Sequence, residues 1–235
     1  LPANPIMVRV VAAGGKRTRH LWARVAYLVV LFAVMLLGGQ LFADSGASLA
    51  QLAKGSTQMF ISVSFVQLLL MSFVAPIFTA GAISQERDGN TFDILLTTPL
   101  SNAQIVFGTL LSRLFFVWAL LLSGLPIFCI TMIYGGVTTN EVFLSFGLAA
   151  CTALLTGSVA ITISMMRLGT RRTIFAFFCG VAAYLLGVGA LGWSGLTAVP
   201  EAAYGVGTAR QMSWLAAFHP FLALLVVVGE TPAPE

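Results

Sequence analysis

Charge is scarce in this chain. Its 235 residues hold 12 Lys or Arg and 8 Asp or Glu, so 9% are charged, where a soluble domain carries about 25%. No soluble core could hide the 58% of residues that are hydrophobic, which excludes an ordinary soluble domain. Cysteine is nearly absent as well. Cys129, Cys151 and Cys179 lie inside apolar runs with no C-x-x-C or histidine spacing, so they read as small hydrophobes rather than bridges or metal ligands. Lysine occurs only as Lys16-Arg17 and Lys54-Gly55. Neither completes G-x-x-x-x-G-K-[ST], and the chain carries no P-loop. The acids Asp44, Glu86, Asp88, Asp93, Glu141, Glu201, Glu230 and Glu235 fall in loops or at ends. An ion-coupled secondary transporter places acids or histidines within its spans, so that class is disfavoured. A membrane-embedded enzyme is disfavoured too: no metal-ligand cluster, paired carboxylate or Ser-His-acid set assembles at membrane depth, and His20 and His219 stand on opposite sides.

What the sequence has instead is long uncharged runs. They predict an all-α integral membrane protein with five transmembrane helices, about 25–42, 60–83, 105–134, 142–166 and 173–191, each near or above the roughly 20 residues that cross a bilayer. The first run is too long, and too closely followed by further spans, to be a cleaved signal peptide. After Leu191 the chain turns loop-like and then apolar again over 212–229, where His219-Pro220 interrupts it. That stretch is either a sixth span or an external re-entrant segment. A sixth span would leave Glu230 and Glu235 in the cytoplasm without Lys or Arg, against the positive-inside trend, so re-entry is preferred.

Positive charge sets the orientation. Arg9, Lys16, Arg17, Arg19 and Arg24 precede the first run, Arg87 follows the second, and Arg167, Arg171 and Arg172 follow the fourth. The opposite loops hold only Lys54 and Arg210. The N-terminus is therefore expected in the cytoplasm, and the net charge of +4 suits anionic headgroups rather than nucleic acid. Asn4-Pro5 reads as a capped helix start, suiting a short helix in the inner interface; a disordered basic leader is the alternative. Arg113 falls near the inner boundary of its span, where it can snorkel or pair with Glu86 or Asp88.

Two features concern packing. Pro76 and Pro126 interrupt the second and third runs and predict kinks, which membrane helices tolerate when neighbours satisfy the freed carbonyls. Ala149, Ala153 and Gly157 form a small-residue ladder at four-residue spacing, a helix-packing surface, with contact inside the chain preferred to dimerisation.

The most informative stretch is Ser84 to Ser101, between the second and third runs. Asn90 can cap a helix whose first turn carries Asp93, an acid at the positive end of the dipole. Phe92, Leu95 and Leu96 share one face, with Asp93 and Thr97 on the other. Pro99 ends this helix at Thr98, and Ser101 with Gln104 forms a capping box for the next. A short amphipathic helix firmly attached to two spans would convert docking of a soluble partner into helix motion; an interfacial loop without a partner is the alternative.

The run Glu86-Arg87-Asp88-Gly89-Asn90-Thr91-Phe92-Asp93-Ile94-Leu95-Leu96-Thr97-Thr98-Pro99-Leu100-Ser101 resembles the type-2 ABC exporter permeases, as does the opening Asn4-Pro5-Ile6. The resemblance covers the topology from residue 1 to about 230, and its specific part is 84–107. It implies one permease domain over 1–235, an inner (cytoplasmic) membrane location, and no cofactor in this chain. ATP would be bound by a partner ABC ATPase, and a second permease copy or a homologue would complete the transporter. The docking surface it implies is Glu86, Arg87, Asp88, Thr91, Phe92, Asp93, Leu95, Leu96, Thr97, Thr98 and Pro99. Such permeases have six spans, so the chain is expected to be a fragment lacking the last. A membrane anchor or scaffold that transports nothing is the other reading.

Overall fold

A computed structural model describes residues 18–42, 48–88, 102–133, 135–165, 170–193, 215 and 218–228. Every regular element among them is an α-helix: α1 Thr18–Phe42, α2 Leu49–Asp88, α3 Asn102–Ser123, α4 Leu125–Ile133, α5 Thr139–Met165, α6 Thr170–Trp193 and α7 Pro220–Val227. Among the described residues four stretches are long and apolar enough to cross a membrane, Leu21–Gln40, Leu49–Thr79, Leu110–Ile133 and Thr139–Ile163, and Phe175–Leu191 is a shorter apolar helix. Helices satisfy their backbone groups internally, which hydrocarbon demands.

Helix ends follow local chemistry more closely than hydropathy. α2 begins eleven residues before the uncharged run at Phe60, because Ser48 and Gln51 form a capping box: the Ser48 N–H donates to Gln51 Oε1 at 2.8 Å and the Gln51 N–H to Ser48 Oγ at 3.4 Å. Thr138 and Glu141 repeat the device at the start of α5, with reciprocal bonds of 3.0 and 3.3 Å. α3 begins at Asn102, directly after the Ser101 proposed as its cap.

Of the two prolines expected to kink spans, Pro76 lies inside an unbroken α2. The third span is instead divided between α3 and α4. Gly124 turns there, its N–H donating to Leu121 O at 3.0 Å, while Ser123 Oγ donates to Leu120 O. Pro126 has no N–H to donate back along the helix, and α4 starts anew at Leu125.

The described chain falls into two compact units. One comprises Leu1–Val29, Leu70–Gly124 and Ala150–Cys179; its core includes Tyr27, Met71, Leu114, Val117, Ala153, Ala160 and Phe177, with Phe73 stacked on Phe178 at 5.6 Å. The other comprises Val30–Leu69, Leu125–Ala149 and Gly180–Glu235. Its core centres on Phe128, which meets Phe60 and Phe146 edge to face at 5.8 and 4.9 Å. Lipid tails are as apolar as leucine, so such contacts hold helices together by shape rather than by escape from water. Large apolar side chains face outward: α1 exposes Val25, Val29, Phe32 and Leu36, and α6 exposes Phe175, Leu186 and Leu191. Trp22, 75% exposed, stands where an interfacial anchor belongs.

Candidate functional site

The proposed docking residues divide in two. Glu86, Arg87 and Asp88 form the end of α2, so the helix that begins at Leu49 reaches the docking stretch without interruption. Beyond Thr79, where the span-length part ends, α2 continues to Asp88, a rise of about 13 Å. Thr91, Phe92, Asp93, Leu95, Leu96, Thr97, Thr98 and Pro99 lie outside the described residues, as do the amphipathic helix read there and the N-terminal stretch before Thr18.

The small-residue ladder faces inward. Ala149 and Ala153 are buried. A Cβ added at Gly157 would meet Leu114 Cδ2 on α3 and Thr79 Cγ2 on α2, each at 3.3 Å, so this glycine lets α5 approach both helices. Arg113 is half-buried and engaged by a neighbour. The three cysteines face outward.

Interior polar chemistry is uncharged: the buried polar side chains among the described residues are Ser, Thr, Gln and His. Most hydroxyls are satisfied locally, as membrane helices favour. Thr79 Oγ1 donates to Ala75 O at 2.9 Å, Thr156 Oγ1 to Thr152 O at 2.8 Å and Thr162 Oγ1 to Ser158 O at 2.9 Å. Others tie elements together. Ser56 Oγ donates to Thr131 O, and Thr57 Oγ1 reaches Gly136 O at 2.9 Å, fastening the start of α2 to the end of α4 and the turn beyond it. Between α1 and α3 a cavity of about 10 Å³, lined by Ala23, Arg24, Phe78, Phe116, Val117 and Leu120, holds at most one water.

His219-Pro220, read in the sequence as an interruption, is a helix start. His219 caps α7, with Pro220 in the first turn. Its Nδ1 accepts the Leu222 N–H at 3.3 Å, which leaves the ring proton on Nε2, donating to Leu185 O on α6 at 3.1 Å. Tyr184 stacks on the ring at 5.8 Å and its hydroxyl donates to Phe218 O, while Phe65 of α2 meets Phe221 at 5.4 Å. Gly189 lies beside the imidazole, where a Cβ would make ordinary van der Waals contact with Nε2 at 3.5 Å. The eight residues of α7 rise about 12 Å, well short of a 30 Å hydrocarbon core.

Comparison with known proteins agrees with this architecture. No curated protein matches the chain. The profile of the family described as ABC-2 family transporter protein matches residues 16–225, which takes in α1 through the first turns of α7 and the stretch between α2 and α3. The chain, an all-helical membrane protein with span-length helices, belongs to the ABC-2 family of transporter permeases.

Proposed function

We propose that this chain is the membrane-spanning permease subunit of an ATP-driven exporter, moved by a separate ATPase that docks on residues 86–99. The observation that carries the proposal is α2: one helix runs from Leu49 through a span to Glu86, Arg87 and Asp88. A push on its end is transmitted along a stiff rod into the interior of the permease. Phe92, Leu95 and Leu96 supply an apolar docking face, with Thr91, Asp93 and Thr97 to Pro99 around it. The partner binds the ATP, because this chain has no P-loop, and the chain itself is not an enzyme and holds no cofactor. A second permease copy or homologue completes the path. The Lys and Arg pattern places the N-terminus in the cytoplasm, and the protein belongs in the inner membrane with 1–235 as one permease domain.

The test compares insertion with docking. Glu86→Ala and Leu95→Asp variants should enter membranes at the level of the parent chain yet retain several-fold less ATPase on purification. Unchanged retention in both would overturn the docking assignment. A chain that retains its partner but shows no cargo-dependent ATP turnover would instead be an anchor.

A further inference from the structure

We infer that Ser64 and Gln67, on the enclosed face of α2, form an uncharged hydrogen-bonding site inside the permease that takes a neutral hydroxyl or amide group. Both side chains are buried, at 1% and 0% exposure. Spaced three apart, they lie on one face of the helix. Ser64 Oγ and both amide atoms of Gln67 have no hydrogen-bond partner among the described residues.

This differs from the rest of α2. Thr57, Ser62 and Thr79 fold their hydroxyls back onto carbonyls one turn earlier, and Ser56 bonds Thr131 O. Ser64 has the same option toward Phe60 and does not take it. Unpaired polar atoms in a dry, lipid-surrounded interior are costly, and leucine would fill the place of Gln67 without that cost. The amide is therefore matched to something that enters. Gln67 offers two donors and an acceptor, and Ser64 a donor and an acceptor. Among the described residues, the other buried polar side chains of the same unit are Ser56, Thr131, Ser145 and His219. None of these brings a fixed charge, so an ionised ligand would be left uncompensated. The ligand class is a neutral hydrogen-bonding group, carried either by cargo or by water.

The cargo arm rests on the exporter reading; the water arm does not. The experiment uses the full chain in membrane vesicles with Cys129, Cys151 and Cys179 replaced by alanine, carrying Gln67→Cys or the near-isosteric Ser64→Cys. The probe is a small neutral methanethiosulfonate, which reacts only with a hydrated thiol. Labelling at least tenfold faster during ATP turnover than without nucleotide identifies a site that opens for cargo. Equal, ready labelling in every state, including permease from which no ATPase is recovered, identifies a standing water site of the same chemistry. Absence of labelling at both positions, in permease that retains an active ATPase or in permease without one, overturns the inference. Recovery of no ATPase would count against the exporter reading alone, since labelling is still read.

Discussion

Gly136 is held in the left-handed region at φ +80, where L side chains are strained, and an added Cβ would collide with the carbonyl of Ala53 and crowd Thr57 Oγ1 at 2.9 Å. Gly135 has nearly the same backbone, φ +78, but open space around it. The pair separates strain from collision. Gly135→Ala should cost about 1 kcal/mol, the lower end of the range for a non-glycine residue in that conformation. Gly136→Ala should cost at least about 2 kcal/mol more, because the obstacle is backbone. Thermal unfolding of the detergent-purified protein checks the order. His219 supplies a second residue-scale prediction. It lies outside the candidate spans, and burial holds its pKa below the ordinary 6.5, opposed by the hydrogen bond to Leu185. Tyr184 is the titratable group stacked on it. A second proton on Nδ1 would face the Leu222 N–H and uncap α7. The unfolded chain takes up that proton at higher pH than the folded one. Stability should thus be full above about pH 6.5 and fall as pH drops through the window below it, and His219→Gln should flatten that slope.

At the scale of elements, α5 depends on Gly157 to lie against Leu114 and Thr79. Gly157→Leu should force these helices apart and cost about 1–3 kcal/mol, seen as a lower yield of monodisperse protein and earlier unfolding, while Gly157→Ala should need only a shift of a few tenths of an ångström. The elements also show what the sequence conveyed. Long uncharged runs announce spans because hydrocarbon admits few charges, and those runs, as far as Ile133 in the third and Met165 in the fourth, lie within α1, α2, α3 with α4, α5 and α6. Hydropathy measures immersion, not helix length, so it placed the second span's start at Phe60 and passed over the Ser48-x-x-Gln51 box that starts the helix at Leu49. The same signature at Thr138-x-x-Glu141 was equally legible. His219-Pro220 misled in the other direction: a proline that ends one helix also suits the first turn of the next, and only tertiary packing on Tyr184 and Leu185 decides. Ser64 and Gln67 gave no warning, since an isolated serine and glutamine in a long apolar run have no pattern until their neighbours are known.

At the scale of the whole molecule, the apolar residues exposed on α1 and α6 and, among the described residues, the buried polar side chains that are all Ser, Thr, Gln or His suit a body embedded in lipid, and Lys and Arg concentrate in the sequence before the first span and after the second and fourth. The reading of residues 86–99 as a docking stretch rests mainly on resemblance to a known family. The composition of the stretch alone allowed an idle interfacial loop as readily as a docking helix. Family membership over residues 16–225 makes the chain a membrane transport subunit, and the proposal adds that its energy comes from an ATPase docked on residues 86–99. The most direct measurement is affinity purification of the full-length protein from its native membranes, with identification of what accompanies it. The account predicts a separate P-loop ATPase in near-stoichiometric amount, lost when Glu86→Ala is introduced. Recovery of only non-ATPase partners, with the permease intact and membrane-inserted, would contradict it.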